Sequence, residues 1–121
     1  MLTRKAVVEK YIDGFRRSDH AQILACLTDD VAWVMHGYKT IHGKKAFDGE
    51  IENEAFEGSP TIALERVIEE GDCVAITGNG TATKKGGEKM TFAFSEVFSF
   101  TGDLVSCIDT YHVWTKQRTQ T

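Results

Sequence analysis

A chain of 121 residues with 41% hydrophobic content has room for one domain around one core, and such a chain buries about two-thirds of the surface its unfolded form exposes. Its 18 acidic and 14 basic residues give a net charge of −4 and are interspersed, the longest basic cluster being a pair such as Lys84-Lys85. That excludes the concentrated basic face a nucleic-acid partner requires, and no apolar run approaches the roughly 18 residues of a membrane span.

Along the chain, Val8, Tyr11, Ile12 and Phe15 fall at i, i+3, i+4 and i+7 among polar neighbours, which predicts an amphipathic first helix. Ser18-Asp19 breaks it, and Asp19 with Gln22 three residues on has the form of a capping box. The short helix it opens turns Ile23, Leu24 and Leu27 inward and ends at Thr28-Asp29-Asp30. VAWVM, from Val31, is β-branched and aromatic enough for a strand closed by Gly37. After the loop GYKTIHG, the segment KKAFDGEIENEAF carries Ala46, Phe47, Ile51 and Ala55 at near-helical spacing and predicts a third helix, stopped at Gly58-Ser59-Pro60. From Thr61 four strand-like runs follow, separated by turn signals at Glu70-Gly71-Asp72, Lys85-Gly86-Gly87 and Thr101-Gly102-Asp103. The polar tail TKQRTQT, from Thr115, is expected to fray. Helices grouped before a meander indicate an α+β fold, three helices packed on one face of a curved antiparallel sheet.

The run MTFAFSEVFSF orients that sheet. Met90, Phe92, Phe94, Phe98 and Phe100 share one face, which must be the inner one, and Glu96 is the only charged residue on it. If Gly102-Asp103 forms a two-residue hairpin turn, Phe100 lies opposite Val105, Glu96 opposite Asp109 and Phe94 opposite Tyr111. Two carboxylates would then stand with β-carbons about 5 Å apart among aromatic rings, and one of them should hold its proton near neutral pH. A three-residue loop would instead send Asp109 to the other face. The plain alternatives are a Glu96 satisfied by solvent or a lysine at the sheet rim, and an Asp109 on the surface.

YIDGF followed by Asp19, LTDDVAW, TIHGKKAF, FSEVFSF and the closing DTY occur in an order and spacing that resemble the cone-shaped α+β superfamily related to nuclear transport factor two. That superfamily includes ketosteroid isomerase and the SnoaL-like polyketide cyclases. The resemblance covers most of the chain and implies a cone fold, but it does not specify a reaction, because the fold hosts isomerases, cyclases, dehydratases, epoxide hydrolases and binding modules. Carried over by position, Tyr11 stands where ketosteroid isomerase has the tyrosine of its oxyanion hole and Glu96 where it has the second hydrogen-bonding acid. Met35 occupies the position of that enzyme's general base, and Met cannot accept a proton. His36 follows it, directed to the other strand face. Epoxide hydrolases of the superfamily are less similar, since they carry an arginine where this chain has Phe94.

These readings make Asp109 the candidate base, Tyr11 and Glu96 the groups that hold a carbonyl oxygen, and Trp33, Met35, Phe94, Cys107 and Tyr111 the cavity lining. The leading expectation is an isomerase-type or cyclase-type enzyme for a small, apolar carbonyl compound. Its competitors are a non-catalytic protein binding such a ligand in the same cavity, and an interaction domain. Thr110, His112 and Trp114 are expected to face outward as an aromatic patch on the convex sheet, through which relatives commonly form homodimers. His20 and His42 read as structural. No His, Cys or Asp pair has metal-ligand spacing, so neither a metal nor another cofactor is expected. Cys26, Cys73 and Cys107 read as free thiols of a cytoplasmic protein without a signal peptide.

Overall fold

A computed structural model describes residues 2–115; the tail from 116 onward, expected to fray, lies outside the described residues. Helix α1 spans Arg4–Arg16, capped by the Thr3 hydroxyl, which accepts from the Ala6 amide. It buries Val8, Tyr11 and Ile12 of the predicted stripe, with Val7 beside them, and Phe15 packs partly buried against the core. Helix α2, His20–Leu24, opens as expected on Asp19, whose carboxylate accepts from the Gln22 amide. It is shorter than predicted, because Leu27 is already the first residue of strand β1, Leu27–Met35. The loop after Gly37 forms a further short strand, β2, Lys39–His42, paired antiparallel with β1. Helix α3 spans only Lys44–Glu50. The apolar positions from Ile51 onward, read as more helix, lead instead into strand β3, Phe56–Glu70. Strands β4, Cys73–Lys84, β5, Lys89–Thr101, and β6, Leu104–Thr115, complete the meander.

The six strands form one curved, unclosed sheet in the order β2-β1-β6-β5-β4-β3. It is mixed rather than purely antiparallel, because the last strand of the meander returns beside the first strand of the chain and runs parallel to it. With the three helices this is the expected α+β cone. Helix α1 packs on β3 and β4, and α3 on β1 and β2.

The core lies between these helices and the concave sheet face. Tyr11, Phe47, Phe98, Ile76 and Ile108 are fully buried in it. Truncating such an aromatic to Ala costs about 3–5 kcal/mol in a packed core. Two glycines of β4 shape the concave face. A β-carbon on Gly78 would meet Ala63 O at 2.4 Å and the Phe94 ring at 2.9 Å, and one on Gly80 would meet Thr61 O at 2.0 Å and the Phe92 ring at 2.6 Å. Only bare backbone lets both rings fold down over β4.

Candidate functional site

The β5–β6 hairpin begins as predicted, with Thr101 opposite Leu104 and Phe100 opposite Val105. One step further the ladder slips: Ser99 pairs with Cys107, and Ser106 is left as an extra residue. Its hydroxyl donates to Ser99 O at 3.2 Å and accepts from Thr101 Oγ1 at 3.0 Å, which holds the bulge in place. Every later residue of β6 therefore faces opposite to the expectation. Glu96 stands across from Thr110, not Asp109, and Phe94 across from His112, not Tyr111. The two-residue turn is the expected one, and the bulge behind it overturns the pairing of the two carboxylates.

The concave face holds a cavity of about 230 Å³, open to solvent beside His112 and Trp114. Tyr11 and Phe15 of α1, Trp33 of β1, Phe92, Phe94 and Glu96 of β5, and Thr110, His112 and Trp114 of β6 contribute to its wall. Of the expected lining residues, Trp33 and Phe94 are there. Met35 packs partly buried against the core beside it. Cys107 and Tyr111 stand with Asp109 on the outer face of β6, so they are removed from the lining, and Thr110, His112 and Trp114 are removed from the supposed outer patch.

Glu96 is 7% exposed and is the only buried charged or polar residue among those described. Its Oε2 accepts a 2.5 Å hydrogen bond from Thr110 Oγ1, which accepts at 2.8 Å from the Trp33 indole N–H. Burial pushes the Glu96 pKa up to about 7, against the smaller opposing pull of the Thr110 hydrogen bond. An acid holding its proton near neutrality was expected, but solvent exclusion rather than a neighbouring carboxylate is the cause.

Tyr11 is 1% exposed, packed edge-on against Phe98 at 5.1 Å between ring centroids, and its hydroxyl has no hydrogen-bond partner among the described residues. Burial, then the charge of Glu96, raises its pKa well above the ordinary tyrosine value, so it is a neutral phenol. The His112 ring stacks on Phe92 at 4.9 Å at the exposed mouth of the pocket, and its partial burial lowers its pKa, which leaves it neutral at neutral pH with a lone pair free to accept a proton. Only the Ser106 bulge, which no local sequence signal announces, turns His112 to the cavity side of the sheet.

On the outer face, His36 Nε2 and Asp109 Oδ1 lie 2.9 Å apart, and the His36 ring stacks parallel on Tyr111 at 4.3 Å. Burial, then the charge of Asp109, raises the Cys107 thiol above its usual pKa, which makes it a poor nucleophile. His20 ties α2 to α3, with Nδ1 2.6 Å from Asp48. Among the described residues, no group of three His, Cys, Asp or Glu is placed to hold a metal ion. A wider depression of about 630 Å³ adjoins the cavity at Pro60 and Ala82. Its charges, Glu52, Glu54, Glu57 and Lys85, are all exposed, so it lacks the desolvated chemistry of the inner cavity.

A family profile described as a SnoaL-like domain matches residues 8–108. The chain belongs to the SnoaL-like family. Among solved structures it is similar to an NTF2-like protein of unknown function from Burkholderia pseudomallei, at 21% identity over 91% of each chain with a TM-score of 0.80. It is also similar to an LEH-like epoxide hydrolase from M. tuberculosis, at 16% identity over 91% of this chain and 82% of that one, with a TM-score of 0.80. TerC, co-crystallised with polyporic acid, matches at 21% identity over 90% of this chain and 91% of that one, with a TM-score of 0.79. At these identities the structures establish the cone fold and nothing finer. The comparison with curated proteins returned no match.

Proposed function

We propose that the cavity is the active site of an isomerase-type or cyclase-type enzyme that removes a proton next to the carbonyl of a small apolar compound and stabilises the resulting enolate. The observation that carries this reading is the meeting of a neutral phenol, Tyr11, unpartnered among the described residues, and a carboxylic acid near half protonation, Glu96, in a largely apolar and aromatic wall. Preorganised donors whose own water has been removed, as for Tyr11 and Glu96, stabilise an oxyanion far better than water does. In this scheme a neutral His112 nitrogen takes the proton from the carbon next to the carbonyl. The C–H electron pair becomes the enolate double bond, the displaced carbonyl pair settles on oxygen opposite Tyr11 and Glu96, and the proton returns at another carbon. His112 takes the role first read for Asp109, which lies behind the sheet. The cavity has the volume of about eight liquid waters, which favours compounds of about one ring. Incubation of small cyclic and aryl ketones in D2O, followed by NMR, tests the reading: the protein should accelerate deuterium uptake beside the carbonyl. Uptake that survives unchanged in a Tyr11→Phe, Glu96→Gln double variant would overturn it.

A second reading, a non-catalytic carrier of the same ligand class, is favoured by Met35 at the family's base position and by Asp109 outside the cavity. Under it, ketones raise the melting temperature and are recovered without deuterium. The expected homodimer is supported by the outer face of β6, where Tyr111 is 49% and Val113 60% exposed. Sedimentation of the wild type and of Val113→Lys tests that contact.

A further inference from the structure

We infer that Thr110 is a positioning residue that decides which oxygen of Glu96 carries the acid's proton, leaving Oε1 as the carboxyl oxygen that meets a ligand. The indole N–H of Trp33 is a donor only, so the 2.8 Å contact runs from Trp33 to Thr110 Oγ1. A hydroxyl owns one hydrogen, and that of Thr110 has Glu96 Oε2 at 2.5 Å as its acceptor. The reverse order, an Oε2–H donating to Thr110, would leave the Thr110 hydrogen without an acceptor among the described residues, and a stranded donor in an apolar wall is costly. The chain of donors therefore runs one way, from Trp33 through Thr110 to Oε2. When Glu96 is neutral its proton sits on Oε1, which makes no hydrogen bond to any described residue but, unlike the Tyr11 hydroxyl, is not sealed from the pocket, so water or a ligand there can accept from it and this order strands no donor. The titratable neighbours are Tyr11 from α1 and His112 from β6, while Trp33 of β1 and Ile76, paired with Glu96 from β4, bring no charge. Thr110 thus acts through Glu96 and presents it as a donor of fixed direction.

Only the final step, from Oε1 to a ligand, rests on the proposed active site. The test needs neither ligand nor turnover, so its failure is distinguishable from failure of that reading. Infrared difference spectra, assigned with Glu96→Gln, follow the Glu96 carboxyl through its titration. Thr110→Val removes the donor at nearly constant volume and should raise the Glu96 midpoint by roughly one unit, because a hydrogen bond to the ionised form is lost. Thr110→Ser keeps the donor and should restore the midpoint to within a few tenths of a unit. A midpoint unmoved or lowered in the Val variant, or a Ser variant displaced as far as Val, overturns the assignment. Should the Val variant not fold, the wild-type spectrum decides: below the midpoint the carbonyl stretch should lie at the low frequency of a hydrogen-bond acceptor. A free-carbonyl stretch overturns the proposal.

Discussion

Glu96 and Asp109 lie on adjacent strands, one residue out of line, and have opposite fates. Glu96 faces inward, loses its water and titrates near 7. Asp109 is set across from Val97 on the outer face, keeps about a third of its side chain exposed and pairs with His36. The difference is one inserted residue, Ser106. Because strand side chains alternate, a single bulge exchanges the chemistry of the two sheet faces without disturbing the hairpin turn. A carboxylate is made into an acid for neutral pH by where the backbone points it, not by its residue type.

Removing the bulge is the most drastic way to break the comparison. Deletion of Ser106 should drive Asp109 toward the aromatic wall and take Ile108, fully buried, out of the core. A buried charge and a lost core side chain together should cost at least about 4 kcal/mol. Chemical denaturation should show a destabilised or unfolded chain, and a stable variant would mean that β6 parity is not set by Ser106.

The next effect is on Glu96 itself. Its carboxyl pKa rises from 4.5 to about 7 on folding, so between those values the unfolded chain ionises first and stability falls as pH rises. Below about 4.5 both states are protonated and above about 7 both are ionised, so the loss is confined to that window. At 1.36 kcal/mol per unit it amounts to about 3 kcal/mol. The wild-type stability minus that of Glu96→Gln should fall by this amount across the window in urea titrations, and a flat difference would deny the raised pKa.

Much of this was legible in the chain and some was not. The stripe of α1, the Asp19 cap, the Gly102-Asp103 turn and the inward aromatic face of β5 follow from local rules, and the structure has them all. So does the inward direction of Glu96, whereas its burial, rather than a place at the wet rim of the sheet, came only with the packed fold. The rest depended on distant partners. Leu27 joins β1 because it pairs with Val105, far along the chain, and a stretch that resembled helix after Glu50 became the approach to β3. The segment LVSCID carries no Gly or Pro to announce a bulge at Ser106, and the stabilising contacts of Ser106 to Ser99 and Thr101 appear only once the strands have met.

Tyr11 sharpens the comparison in smaller measure. Its hydroxyl is buried without a partner, so Tyr11→Phe should hold or gain stability, by up to about 1 kcal/mol. The same substitution should slow deuterium uptake by about a hundredfold if the phenol stabilises the enolate. A group that costs the fold something and contributes to turnover is one kept for its chemistry. A variant that loses stability and retains activity would make Tyr11 a packing residue.

The smallest effect belongs to the outer carboxylate. Asp109 and His36 are 2.9 Å apart but remain 32% and 40% exposed, and water competes for such a pair, so the contact contributes less than about 1 kcal/mol. Asp109→Asn preserves the shape of the side chain and removes its charge from the outer face alone. Stability should change by less than about 1 kcal/mol, and deuterium uptake should match the wild type within twofold. A large loss of turnover with an unchanged fold would show that charge on the far side of the sheet reaches the cavity. In that case the face a carboxylate occupies would no longer decide its function, and the contrast between Asp109 and Glu96 would dissolve.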